Sequence, residues 1–316
     1  MAQDLAKRLR PITKEGAIES YKELVELDCK DIEKFSRIGL KTLDYFFLHN
    51  RIKAKTKRHI SFYDAMKDLD IVGELNEKMI QIKKKDPADL TPGHRNQMRY
   101  DVFQLYYGTI NQFRPTEVKR LLCRLKPTVG VLDFSAGWGG RCLGTIASGL
   151  PYVGIDANLN LKSSYTKMLE ALGEDGKKAT LIFQPSETVD FSKYEYDLIF
   201  TSPPYFILEE YEKMPQYGSE QGFLDKFFKP VVENSWKHLK PGGHMALNMP
   251  KAMYDAIKKE LPPLWKRLQL PIANRHPGNA GSKSSIGSGD TKQRTEGIYV
   301  WKKSGSGKKT RKVKKT

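Results

Sequence analysis

The sequence is poor in cysteine. Its 316 residues carry three, Cys29, Cys123 and Cys142, far apart along the chain. That spacing supplies neither a disulfide framework nor zinc-ligand pairs, and points to a reducing compartment, cytoplasm or nucleus. The six histidines are scattered, so no metal site is expected. Apolar runs are short: none approaches the roughly 20 residues that span a bilayer. The opening, MAQDLAKRLR, lacks the apolar core of a secretory signal. Acid is scarce relative to base. With 54 Lys+Arg against 37 Asp+Glu, net charge is +17. This balance favours a polyanionic partner, nucleic acid first. Part of the excess sits in the last residues, Lys308 to Lys315, which read as a disordered basic arm.

Organisation comes next. Residues 1–90 read as a helical, basic accessory region, with apolar residues at helical intervals over 18–32 and 60–82. The run 51–59 is its densest basic stretch, fitting a phosphate contact or a solvated face equally. Asp86-Pro87 and Thr91-Pro92-Gly93 mark a boundary. Pro115-Thr116 opens a helix that runs to Leu125. Strands then alternate with helices: 130–134, 152–156, 179–183, 196–200, 244–249 and 297–301 read as strands, with helices between them, one of them over 223–239. This order predicts an α/β fold with a mostly parallel, doubly wound sheet over residues 91–303. Residues 274–295 read as a long mobile loop, and 304–316 as a flexible tail.

Two motifs carry chemistry. The first is Asp133-x-x-x-Gly137-x-Gly139, a glycine-rich turn between a strand and a helix. Such glycines let the backbone approach a ligand. An acid at the end of the next strand, Asp156, lies about 20 residues on, where a ribose diol is gripped. A carboxylate at Asp133 repels phosphate and suits an ammonium or sulfonium. That favours S-adenosylmethionine over a dinucleotide. The second motif is Thr201-Ser202-Pro203-Pro204-Tyr205, after an apolar run. Two prolines cannot continue a central strand. They present a hydroxyl and an aromatic ring on a stiff turn at a strand's carboxyl end, the edge where open α/β sheets bind ligands. Alone, the pentapeptide fits a rigid turn as well as a site. The glycine loop upstream tips it towards a site.

The succession Phe113-Arg114-Pro115, Asp133-Phe134-Ser135-Ala136-Gly137-Trp138-Gly139-Gly140, Asp156 and Thr201-Ser202-Pro203-Pro204-Tyr205 resembles the amino-group DNA methyltransferases, which use S-adenosylmethionine to methylate adenine N6 or cytosine N4. The resemblance covers roughly residues 95–303. The Gly-Trp-Gly-Gly-Arg form is similar to a phage and large-virus subgroup. The resemblance implies a class I, Rossmann-like methyltransferase fold. It implies that a base flips out of duplex DNA. Its amine would donate to the Ser202 side chain and the Pro203 carbonyl, on a turn stiffened by Pro204, with Tyr205 stacked on the ring. It assigns the cofactor to Phe113, Arg114, Pro115, Asp133, Ser135, Gly137, Gly139, Asp156 and Thr201; Glu187, after the third strand, does not cleanly match the family's acid there and fits an adenine contact or a surface residue equally. Arg275, Lys283, Lys292 and Arg294, in the long loop, are the expected phosphate contacts. Serine before Pro-Pro-Tyr leans to cytosine N4. An RNA or protein amide-nitrogen methyltransferase is the rival enzyme, although those usually carry asparagine at the Ser202 position. A non-catalytic DNA-binding protein on the same scaffold is the rival of another class. Carbon-5 cytosine methylation is set aside, because no cysteine follows a proline.

Overall fold

The computed structural model describes residues 1–33, 36–56, 58–204, 217–269 and 297–305. Tyr205, the loop bearing Arg275, Lys283, Lys292 and Arg294, and the basic arm lie outside these residues.

Among the described residues, seven strands form one sheet: β1 (Val131–Asp133), β2 (Tyr152–Ile155), β3 (Ala179–Ile182), β4 (Leu198–Thr201), β5 (His244–Met249), β6 (Lys266–Gln269) and β7 (Gly297–Lys302). Their order is β3-β2-β1-β4-β5-β7-β6. β1 to β5 pair in parallel. β7 runs antiparallel to both β5 and β6. This is the mostly parallel, doubly wound, Rossmann-like α/β architecture expected from the sequence. The order reverses between β1 and β4, so the switch point lies between the glycine-rich turn and the Ser-Pro-Pro turn.

Helices cover both faces. One face carries α2 (Lys14–Glu26), α3 (Leu40–Arg51), α7 (Pro115–Leu125), α8 (Gly140–Ile146) and α9 (Lys162–Ala171). Their core joins Leu24, Leu43 and Phe47 to Val118, Leu143, Tyr165, Phe200 and Ala246. The N-terminal helices α2 and α3 therefore share one core with the sheet. The other face packs under α10 (Glu220–Phe223), α11 (Lys229–His238) and α12 (Lys251–Ile257). A smaller core gathers α1 (Ala2–Leu9), α4 (Phe62–Ala65), α5 (Leu69–Lys83) and α6 (Pro92–Tyr106) around Phe62, Leu75 and Phe103. No helix among the described residues is long and apolar enough to cross a membrane.

Local chemistry explains most boundaries. Thr13 caps α2, its Oγ accepting from the Gly16 N–H at 3.0 Å. Asp68 caps α5, which splits the expected 60–82 helix in two. α7 starts with Pro115 at its first position and ends on Lys126 in the left-handed region. The predicted helix over 223–239 starts earlier, at Glu220, and contains a π-helical turn, Leu224–Phe228. Pro230 follows that turn. It lacks an N–H for the carbonyl four residues back, and the wider turn accommodates its ring.

Two sequence expectations are corrected. Cys29 and Cys123, 94 positions apart, form a disulfide with their Cα atoms 6.1 Å apart. Spacing along the chain is blind to this closure, because α7 packs beside the short turn Cys29–Asp31. The cysteine argument for a reducing compartment falls with it. β6 also went unread. It is an edge strand whose sequence, Lys-Arg-Leu-Gln, shows charge before it shows strand alternation.

Candidate functional site

The site is built on the carboxyl edge of β1, β2, β4 and β5. At the end of β1, Asp133 is fully buried. One carboxylate oxygen accepts from Arg141 Nε and from the Tyr152 hydroxyl, each at 2.7 Å. The other accepts from the Ser135 N–H at 3.2 Å. Arg141, the last residue of the Gly-Trp-Gly-Gly-Arg segment, also donates to the Ser135 carbonyl and lies over the Phe113 ring, 5.5 Å from its centre. Burial works against its charge, yet the Asp133 carboxylate more than offsets it, and the guanidinium stays protonated. Asp133 thus faces the protein. The expected direct contact to a ligand is replaced by an ion pair that braces the loop. The repulsion argument against phosphate is corrected as well, since Arg141 neutralises the carboxylate in place.

Gly137 (φ 59) and Gly139 (φ 79) turn the chain through the left-handed region. A Cβ at Gly139 would meet the Phe47 ring of α3 at 2.8 Å. Tyr165 of α9 donates to the Ala136 and Gly137 carbonyls at 3.2 and 3.0 Å, and packs edge-on to Phe47. The glycine turn therefore rests on aromatic rings from two helices. The N-terminal one was not foreseen.

Asp156, after β2, accepts from the Gly137 N–H at 2.7 Å and the Asn158 N–H at 2.8 Å. Burial raises its carboxyl to about 6, against the lowering effect of those two N–H groups. It retains partial solvent contact. After β3, Ser186 donates to the Phe134 carbonyl at 2.6 Å. Glu187 accepts from the Tyr217 hydroxyl at 3.0 Å, and its second oxygen is buried without a partner among the described residues.

Phe113-Arg114-Pro115 lies against α8. A Cβ at Gly140 would strike the Phe113 carbonyl oxygen. Phe113 also meets Phe200 of β4 edge-on, 5.3 Å between centres. Gln112, just before it, donates to Asp44 of α3 at 3.2 Å, and Arg10 and Arg51 also pair with Asp44. The motif segment is thereby tied to the N-terminal helices.

At the end of β4, Thr201 is fully buried, and its hydroxyl has no partner among the described residues. Ser202 and Pro204 are partly exposed, and Pro203 is buried between them. The β4–β5 register pairs Thr201 with Leu247 and so brings Ser202 opposite Asn248. The Ser202 hydroxyl donates to Asn248 Oδ1 at 3.2 Å. Phe200 and Ala246, two residues back on each strand, belong to the core that contains Phe113's packing partners, so this hydrogen bond lies on the Phe113 side of the sheet. The structure thus gathers Phe113, Gly137, Gly139, Asp156, Glu187 and Ser202 at one edge. Asp133 and Thr201 lie beneath it. Asn248 and Arg141 were missed as site residues. Their signals were a lone amide in the apolar run Met-Ala-Leu-Asn-Met and an arginine closing a glycine turn.

No protein-family model matches the chain, and no curated protein matches it. Solved structures of similar fold include TrmN from Thermus thermophilus, 15% identical, with 74% of this chain and 79% of that one covered and a TM-score of 0.41. An rRNA methylase from Streptococcus thermophilus is 13% identical, with 62% of this chain and 99% of that one covered, at a TM-score of 0.39. The glycopeptide N-methyltransferase MtfA, in complex with S-adenosyl-L-methionine, is 19% identical, with 51% of this chain and 64% of that one covered, at a TM-score of 0.32. The chain thus spans just under two thirds of MtfA's length.

Proposed function

We propose that the chain is an S-adenosylmethionine-dependent methyltransferase acting on the exocyclic amine of a base in DNA, with cytosine N4 favoured over adenine N6. One observation carries this reading. The Ser202-Pro203 turn leaves β4 beside the switch point, on the edge that also holds the glycine turn and Asp156. The basic balance of the chain, +17, supports a nucleic-acid substrate.

The residues present fit the cofactor. Bare positive-φ backbone at Gly137, where a Cβ would meet nothing nearer than the Ser135 carbonyl oxygen at 3.8 Å, leaves room for a close approach, while Gly139 turns the chain against Phe47. The unpaired buried oxygen of Glu187 offers an acceptor near the end of β3. Asp156 would accept from the ribose hydroxyls. Phe113, Arg114 and Pro115, with Ser135, would line the methionine end. Asp133 and Thr201 would act from beneath, the former through Arg141. When bound, S-adenosylmethionine supplies an electrophilic methyl on a sulfonium.

The chain's task is to present the base amine. That nitrogen's lone pair is conjugated into the ring, so it attacks only once it pyramidalises. The Ser202 oxygen and the Pro203 carbonyl would accept its two N–H bonds and favour that geometry. Because the prolines fix the carbonyl beforehand, this is electrostatic preorganisation. Tyr205 would stack on the flipped ring. Arg275, Lys283, Lys292 and Arg294 would contact phosphates. The proton lost after transfer is acidic enough to leave without a tuned base.

The test is transfer of labelled methyl from S-adenosylmethionine to duplex DNA and to RNA, followed by nucleoside analysis. N4-methylcytosine in DNA is the expected product. N6-methyladenine alone would reverse the choice of base. Label in RNA alone would reverse the choice of nucleic acid. No label in either would refute the enzyme reading.

A further inference from the structure

We infer that Asn248 is a positioning residue that accepts the Ser202 hydroxyl hydrogen bond and so leaves the Ser202 oxygen as an acceptor for the substrate amine. This rests on the base-amine function proposed above.

The argument begins with what serine can do. A hydroxyl is both donor and acceptor, and its hydrogen rotates to suit its neighbours. A base amine presents N–H groups. If the hydroxyl hydrogen pointed at the amine, two donors would face each other. Ser202 serves as an acceptor when its own hydrogen is engaged elsewhere, and Asn248 Oδ1 stands 3.2 Å away to receive it. The sheet fixes this arrangement. Asn248 continues the β4–β5 register, so its side chain lies on the same face as Ser202. On its other side β7 pairs Ile298 with it. Asn248 is only 4% exposed, so bulk water is a poor substitute for its carbonyl.

A second observation supports a functional reason for the amide. Asn248 Nδ2 is buried without a partner among the described residues. An unsatisfied buried donor costs stability that an apolar side chain would not incur. The neighbouring positions Met245, Ala246, Leu247 and Met249 are all apolar. An amide here weakens the strand and serves the residue across from it. The opposite amide orientation would aim Nδ2 at Ser202, leaving the serine proton directed at the substrate. The two orientations differ in what a carboxylate at this position would do.

The experiment compares wild type with Asn248→Leu, Asn248→Asp, Ser202→Ala and the Ser202→Ala/Asn248→Leu double variant. It measures kcat and KM for the nucleic acid, cofactor affinity by direct titration, and the pH profile. Asn248→Leu should lower kcat about tenfold, the kinetic equivalent of one ordinary hydrogen bond, while cofactor affinity stays within about twofold. In the Ser202→Ala background the same change should have no further effect, because the two residues act as one unit. Asn248→Asp should retain kcat at alkaline pH, where the carboxylate is a pure acceptor. It should gain an acid limb that wild type lacks, since a protonated carboxyl offers a hydroxyl instead. Equal losses in both backgrounds, or an unchanged kcat in Asn248→Leu, would overturn the inference. So would an Asn248→Asp variant as impaired as Asn248→Leu at every pH. If Asn248→Leu fails to bind cofactor, Asn248→Asp decides alone by the same criterion. Wild type that methylates neither DNA nor RNA would remove the function and this inference together. Wild type that methylates while the Asn248 variants behave as wild type would remove only the inference.

Discussion

Cofactor affinity should depend on pH through Asp156. Burial holds this carboxyl at about 6, above its ordinary 3.8, even though the Gly137 and Asn158 N–H groups pull the other way. A ribose diol donates best to a carboxylate, so binding should select the ionised form. At about pH 5, one unit below the folded value, roughly a tenth of the carboxyl is ionised. Affinity should then fall about tenfold relative to neutral pH, roughly 1.4 kcal/mol. The same group affects stability with the opposite sign. Its folded value lies above the unfolded one, so the folded protein prefers the protonated form. Its stabilising contribution is full below about pH 4 and is lost as pH rises through about 6. The interval is worth roughly 3 kcal/mol. Charging Asp156 therefore costs stability in the free protein while, on the proposed function, readying it for the ligand. The assay is titration of S-adenosylmethionine by calorimetry across pH 5 to 8, with Asp156→Asn as the control for the ligand's own ionisations. A flat affinity in wild type, or the same slope in Asp156→Asn, would refute the reasoning.

Two other outcomes follow from packing and covalent closure. Gly144→Ala should destabilise by about 1–3 kcal/mol even though alanine is the better helix former. The new Cβ would sit 2.5 Å from Val118 Cβ and 2.6 Å from the Pro115 carbonyl oxygen, neither of which is a flexible tip. A chemical-denaturation midpoint at or above wild type would show that α7 yields freely. Reducing the Cys29–Cys123 bond should lower stability by about 2–5 kcal/mol, because it frees a long loop in the unfolded chain. Denaturation with and without reductant measures this, and superimposable curves would contradict the bond's contribution.

The sheet was largely legible because its central strands are apolar on both faces, a pattern that parallel sheets impose. β2 and β5 appear where the runs 152–156 and 244–249 put them. β4 begins at Leu198, two residues late. The Asp197 carboxylate is engaged by the Thr128, Val129 and Gly130 N–H groups, so the chain enters the sheet only after it. The loop motifs were legible because glycine and proline carry backbone information locally. Roles that depend on distant partners were not. Asp133 reads as a ligand carboxylate until Arg141, eight residues on, and Tyr152 of the neighbouring strand converge on it. Cys29 and Cys123 read as isolated thiols until α7 brings them together.

The largest such gap concerns the N-terminal helices, which composition marks only as basic and helical. Phe47 of α3 fills the space in front of Gly139, and Leu43 lies 3.4 Å from the same point. Asp44, between them in sequence, gathers Arg10, Arg51 and Gln112. Gln112 directly precedes Phe113, whose ring touches both Arg141 and Phe200. One turn of α3 therefore holds the glycine loop through packing and the Phe113 segment through a buried charge. Removing Asp44 would leave Arg51 buried without its partner carboxylate, a change that costs far more than a surface ion pair. The same loss would also free Gln112 and with it the entry to Phe113. A basic region that only bound nucleic acid would have no reason to place a buried acid there. Its position makes α3 part of the wall around the candidate site, so the geometry presented to a ligand depends on the first fifty residues as much as on the motifs themselves.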